Sequence, residues 1–234
     1  KVFFLVLPHI IPDLPVHLLW LDPPIFTMPL FMQLETIADR VVLDSGSCTN
    51  LPLFGEKISM LAAKNSCSIV DLNWTRISAW RELLHLEFTT HEEKQLLAAT
   101  CRVTITYNGL ENTYISEKKT QAYYFIFWLA TRCSWKFCHK TDHQLLFETV
   151  SVDLIEEKKT AFKPGCILRV ELKSKAYSYE FHLVNKQEIH VKISSEQKCF
   201  IPWIYRLEDD AKGSSLSREL VKKHTSKHFL QTLT

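Results

Sequence analysis

The apolar positions of this chain fall into two rhythms, and the change comes near His143. In the first half, short apolar runs alternate with segments whose apolar residues recur every three to four positions. Residues 16–21, 40–45 and 68–72 read as buried strands, and 29–39, 51–63 and 74–88 as the helices that follow them. Leu30, Leu34 and Ile37 form the apolar stripe of the first helix. A Pro12-x-x-Pro15 bend precedes the first strand, and Asp22-Pro-Pro24 closes it. This order predicts a partial parallel α/β layer. The opening run, residues 2–7, is dense in apolar side chains and is expected to be a further buried strand. Pro8, His9, Pro12, Asp13, Pro15 and His17 interrupt it too often for a membrane span.

Residues 91–99 then read as a short helix, and 101–107 alternate as a strand with Asn108-Gly109 as its turn. Residues 120–135 form a long helix whose Tyr123, Tyr124, Phe127, Trp128, Leu129 and Ala130 cover most of its circumference, so it should lie buried between layers. Beyond His143 the period becomes two. Residues 145–152, 166–172, 177–183 and 188–193 predict antiparallel strands, and Val170 and Leu172 alternating with Glu171 and Lys173 predict one buried and one wet face. Residues 209–215 are linker-like. Residues 216–233 read as a basic helix, with Leu216, Leu220, His224 and His228 at four-residue spacing, expected to lie on the sheet as a lid. The predicted class is α/β plus α+β. Residues 1–72 would form a partial α/β domain, and 73–234 an α+β domain whose mostly antiparallel sheet is packed by the long apolar helix and a C-terminal helix.

Composition narrows the chemistry. An apolar content of 46% with 12% aromatic residues can fill a core, and 28 basic against 26 acidic residues without long blocks disfavour a nucleic-acid or membrane-surface partner. Only 5 glycines are present, with no glycine-rich phosphate loop, which weighs against a self-contained nucleotide site and gives no reason to expect a cofactor. Seven scattered cysteines suit the thiols of a reducing cytoplasm better than a disulfide framework. The first residue, Lys1, leads straight into an apolar run, so the chain reads as truncated at its N-terminus.

The sharpest pattern is Asp71-Leu-Asn-Trp-Thr-Arg-Ile-Ser-Ala-Trp-Arg-Glu82. Asn73 reads as the N-cap of a helix that begins at Trp74. At 100° per residue, Trp74, Ile77, Trp80, Leu83, Leu84 and Phe88 share one face, and Arg76 and Arg81 fall within the same arc. A cation in the first turn opposes the helix dipole and needs an anion, for which Asp71 and Asp44 are nearest by topology. The two arginines are either internal ion pairs or an edge that receives an anionic ligand or a partner's carboxylates. Asp22, Asp44, Ser45, Ser47, Asp71 and Asn73 fall at the carboxyl ends of the expected strands, where α/β sheets hold ligands and where helix caps also sit. Asp44, Ser45 and His17 could form a catalytic group, although no nucleophile-elbow motif surrounds Ser45. Cys133, Cys138, His139 and His143 are the one metal-like cluster. Their Cys-x4-Cys-His-x3-His spacing lacks the usual paired ligands, so no metal is expected.

Three motifs in order, Ile11-Pro-Asp-Leu-Pro-Val16, Ala38-Asp-Arg-Val-Val-Leu-Asp-Ser45 and the stretch from Asp71 to Glu82, resemble the OpcA family of glucose-6-phosphate dehydrogenase assembly proteins. The helix ending Trp128-Leu-Ala-Thr-Arg-Cys-Ser-Trp135 and the Ser217-Arg-Glu-Leu220 segment are similar to the family's later helices. Ser78-Ala79 departs from the Thr-Pro pair that the family often carries. The resemblance implies a bacterial, cytoplasmic, non-enzymatic accessory protein of the pentose phosphate pathway. Such a protein binds glucose-6-phosphate dehydrogenase, promotes its active oligomer and raises its activity. The candidates for an interface or for an anion are Asp13, Asp44, Asp71, Asn73, Trp74, Arg76, Trp80 and Arg81, and the resemblance does not decide between the two roles. The competing expectation is a sugar-phosphate or nucleotide-binding α/β enzyme with Arg76 and Arg81 on the phosphate.

Overall fold

In a computed structural model, which describes residues 2–21, 28–64, 67–195, 200–207, 216–217, 220 and 224–233, the chain builds two sheets around a continuous hydrophobic core. The first sheet has three parallel strands in chain order, β1 (His17–Trp20), β2 (Arg40–Leu43) and β3 (Ser68–Asp71). Helices α2 (Pro29–Glu35) and α3 (Leu51–Ala63) make the crossovers. All four residues of β2 are buried, as expected of a parallel strand covered on both faces. Helix α2 is shorter than its pattern predicts. Its buried apolar side chain is Phe31, set edge-on against Trp20 at 5.3 Å, and not the Leu30, Leu34 and Ile37 stripe.

The opening run is not a buried strand. Residues Val2–Val6 form a helix, α1, with Phe4 72% and Leu5 69% exposed. A strand needs a neighbour for its backbone groups, whereas a helical turn pairs its own. The closing Asp22-Pro-Pro24 and the linker at 209–215 lie outside the described residues.

After β3 come α4 (Leu72–Arg76), α5 (Ser78–Glu87) and α6 (His91–Ala98), the last opened by a Thr90/Glu93 capping box. The second sheet has eight strands: β4 (Arg102–Asn108), β5 (Phe137–Lys140), β6 (Gln144–Phe147), β7 (Ser151–Glu157), β8 (Ile167–Lys173), β9 (Tyr177–Asn185), β10 (Glu188–Ser195) and β11 (Trp203–Arg206). Their order is β11-β10-β9-β8-β4-β7-β6-β5, with β4 and β7 parallel and the other pairs antiparallel. The strand expected over 145–152 is two strands, because the chain reverses at Glu148-Thr149, where the Phe147 N–H donates to the Val150 carbonyl at 2.9 Å. Strands β5 and β11 were not expected. Every residue of β5 is exposed, so no alternation marks it.

Helix α7 (Thr120–Cys133) lies between the layers, as its all-round apolar surface requires. Among its contacts, Phe125 meets Trp80 at 6.4 Å and Tyr124 meets Trp74 at 6.4 Å. Asn108 is a strand end and not the expected turn residue. Its Nδ2 donates to the carbonyls of Lys159, Phe162 and Lys163, and its Oδ1 accepts from the Lys159 N–H, which fastens the loop before β8.

The terminal helix is also not a single lid on the sheet. Leu216, Ser217 and Leu220 are helical, residues 224–226 are not, and α8 (Lys227–Leu233) sets Phe229 against Trp74 at 5.7 Å and Tyr124 at 6.0 Å. It therefore packs among helices. Just before it, the Thr225 hydroxyl accepts the Ile69 N–H at 2.8 Å and covers a backbone donor of the edge strand β3. Among the described residues no helix is long and apolar enough to cross a membrane.

Candidate functional site

Parallel strands bring Asp44 and Asp71 to the same edge, one residue beyond β2 and at the last position of β3. The helix that follows begins at Leu72 and is capped by Asp71, not by Asn73. The Asp71 Oδ1 accepts the Asn73 N–H at 2.6 Å and the Trp74 N–H at 3.2 Å. Its Oδ2 takes the Ser45 N–H at 2.9 Å. A carboxylate with two acceptor oxygens satisfies three backbone donors at once, which an Asn73 amide cannot. The side chain is fully buried, and burial pushes its carboxyl up to about 6, outweighing the donors that favour the charge.

The helix expected over 74–88 is broken at Ile77, where ψ is 7°. The Thr75 hydroxyl donates back to the Asp71 carbonyl at 3.2 Å, a bond that competes with the helical ladder. The break moves Arg76 from a first turn to the last turn of α4, where a cation suits the dipole. The expected anion is Asp44 alone. Arg76 Nη1 and Nη2 donate to Asp44 Oδ1 and Oδ2 at 3.1 and 2.9 Å, a bidentate pair, and Nη1 also donates to Asn73 Oδ1 at 2.8 Å.

Asn73 joins the cluster. Its Nδ2 donates to Asp44 Oδ1 at 2.9 Å and to Ser45 Oγ at 3.1 Å, and its Oδ1 accepts from Gln121 Nε2 at 3.3 Å. The Gly46 carbonyl accepts the Ser116 N–H at 2.8 Å. These bonds fasten the loop after β2 to the approach and first turn of α7. Gln121 was missed by pattern, although a lone amide in an apolar helix is a signal for a buried polar partner. Cys48 lies beside the cluster with its thiol pushed up to about 12 by burial and by Asp71 and Asp44, so it stays protonated and inert.

Arg81 is half-buried and belongs to the helices. Its guanidinium lies 3.6 Å from the Trp74 ring centroid, and Nη2 donates to the Trp74 carbonyl at 3.2 Å. Trp74 and Trp80 are both buried in the core. Asp13 is exposed in the turn before β1. His17 cannot serve Asp44 and Ser45. It opens β1 opposite Arg40, whereas they lie beyond the far end of β2, about 13 Å away at the rise of a strand. Cys133 is half-buried at the end of α7, with its thiol pushed up to about 11, while Cys138 and His139 are exposed on β5. Among the described residues no three His, Cys, Asp or Glu side chains gather as a metal site would need.

The arrangement is a polar joint. Asp71 spends its oxygens on backbone N–H groups, and Asp44 and Asn73 spend theirs on each other, Ser45, Gln121 and Arg76, which leaves the guanidinium of Arg76, 35% exposed, as the group at its surface. Because that pair is partly solvated, Arg76→Ala is expected to cost about 1 kcal/mol, less in high salt, as read by urea unfolding at two ionic strengths. A loss several times larger would make the pair a principal strut of the fold.

Residues 67–233 match the OpcA family model, described as the C-terminal domain of the glucose-6-phosphate dehydrogenase subunit. The OxPP cycle protein OpcA of a Synechocystis species is 27% identical over 125 residues, 53% of this chain and 25% of that protein. Its counterpart in Nostoc punctiforme is 30% identical over 132 residues, 54% of this chain and 26% of that protein. The chain thus spans about a quarter of the length of the curated relatives it matches. Among solved structures, the 3-ketoreductase KijD10 of Actinomadura kijaniata superposes with a TM-score of 0.59 at 9% identity, over 96% of this chain and 77% of that one. The super-repressor mutant of Gal80p from Saccharomyces cerevisiae gives 0.53 at 14%, over 82% and 60%. At these identities the likeness is one of fold, and a fold shared by a ketoreductase and a repressor does not fix the chemistry.

Proposed function

Because the chain belongs to the OpcA family, that of the C-terminal domain of the glucose-6-phosphate dehydrogenase subunit, we propose that it is a non-enzymatic accessory protein of that dehydrogenase. It binds glucose-6-phosphate dehydrogenase in the cytoplasm, promotes assembly of the active oligomer and raises its activity within the oxidative pentose phosphate cycle. The observation that carries this reading is the family match over residues 67–233, which takes in the whole Asp71 to Glu82 stretch. The site chemistry supports it. At the strand-end edge where an α/β enzyme would hold its ligand, the carboxylates, the amide and the arginine are committed to internal partners. The near-even balance of 28 basic and 26 acidic residues also suits a protein partner better than a nucleic acid.

The test is to measure the sedimentation and the activity of glucose-6-phosphate dehydrogenase with and without this chain. The expected result is a larger complex and a higher rate at equal dehydrogenase concentration; no change in either overturns the reading. Titrating glucose 6-phosphate and NADP into the chain alone by calorimetry addresses the competing enzyme reading, for which the proposal expects no heat of binding.

A further inference from the structure

One face of the second sheet is covered by α5 and α7; the other is turned away from them and carries an ordered pattern of charge. Register places Asp153 on β7, Thr104 on β4, Glu171 on β8, Glu180 on β9 and Lys192 on β10 side by side in one row. Two residues along, Ile155, Thr106, Arg169, His182, His190 and Ile204 form the next row. One row therefore holds three carboxylates and, at its β10 end, a lysine, and its neighbour holds an arginine, two imidazoles and an isoleucine at each end. Ile155 and Ile204 are 46% and 50% exposed, and Val184 on β9 is also exposed. Arg169 reaches Glu171 and Glu180 at 3.7 and 3.6 Å, longer than the 3.1 Å at which Lys173 holds Glu171 and the 2.8 Å at which Arg102 holds Asp153.

We propose that this sheet face is the contact between two copies of the chain. Charge and area both point to a second copy. Carboxylates in one row beside an arginine and imidazole donors in the next make the face self-complementary. A two-fold axis lying in the plane of the contact, midway between the rows and parallel to them, sets Glu171 against Arg169 of the second copy and Glu180 against its His182, and repeats both contacts by symmetry. His182, whose pKa is lowered by burial and by the Arg169 guanidinium, offers an imidazole N–H to that carboxylate. Eight strands about 4.8 Å apart and a depth of about 20 Å give a face of about 750 Å², close to the 800 Å² or so that each partner buries in a stable interface. The exposed isoleucines supply apolar contact within a mixed surface of the kind interfaces use. This inference rests on the sheet face alone and not on the dehydrogenase reading.

Sedimentation velocity on the 234-residue chain tests it. The wild-type chain is expected to sediment as a dimer at about 100 µM, an affinity that a standard-sized face supports. Arg169→Glu and Glu171→Arg are each expected to weaken the dimer at least tenfold, with unchanged circular dichroism and melting. An equimolar mixture of these two variants is expected to dimerise again, because each reversed charge meets its opposite. Should either variant fail to fold, Ile155→Ser with Ile204→Ser provides the weakened dimer. A monomeric wild-type chain, including one that uses this face only for a different protein, overturns the proposal. So does a dimer indifferent to the substitutions, or a mixture that stays monomeric.

Discussion

Replacing Trp74 by alanine is expected to lower stability by about 3–5 kcal/mol, the range for truncating a fully buried tryptophan. Trp74 is 3% exposed and stands where three elements meet: its ring faces Tyr124 of α7, Phe229 of α8 and the guanidinium of Arg81 on α5. Alanine would open a cavity and strip a half-buried cation of its aromatic face. Equilibrium unfolding in urea measures the loss. Limited proteolysis supplies a second readout, because release of Phe229 should expose the C-terminal segment to cleavage before the rest unfolds. Trp80→Ala should fall in the same energy range, since Trp80 is also buried and meets Phe125, yet leave that segment docked. A Trp74→Ala loss below about 1 kcal/mol would show that the three elements are held by other contacts.

The pH dependence of stability should carry the signature of Asp71. Its carboxyl titrates near 6 in the folded protein and near 3.8 when unconstrained, so between these values the native state binds more protons than the unfolded one. Stability from this group is therefore fully present below about pH 4 and is lost as pH rises through 6. A shift of about two units corresponds to about 3 kcal/mol. Asp71→Asn should remove that slope, because an amide does not titrate. Unfolding free energies measured from pH 4 to pH 7 for both proteins provide the comparison, and an identical slope in the variant would assign the titration to another group.

How far the sequence determines this architecture can be argued residue by residue. Helix α3 occupies the expected residues because its signals are local: Asn50 caps it by accepting the Leu53 N–H at 2.9 Å, and Pro52 suits its first turn. The face through Trp74, Ile77, Trp80, Leu83, Leu84 and Phe88 is buried as the periodicity requires, even though the helix breaks within it. What pattern could not decide was competition among polar partners. The choice of Asp71 over Asn73 as cap depends on Ser45, which folding brings from 26 residues away. The choice of Asp44 as the partner of Arg76 spans 32 residues. Strand β5 and the helix α1 failed for a different reason: their exposure follows from what lies beside them, and an apolar run does not state its neighbours.

The hydrogen bond from Ile69 to Thr225 spans 156 residues, and it gives the order of synthesis a role. The strands of the first sheet are made before Thr225, and the Ile69 N–H on the flank of β3 remains uncapped until Thr225 has left the ribosome. A nascent chain that has not reached this point carries an open strand edge and an unfilled pocket at Trp74, the two features that invite mispairing and chaperone capture. The arrival of Thr225 and Phe229 covers that donor and fills that pocket together, so the last part of the chain to be made completes contacts with one of the first.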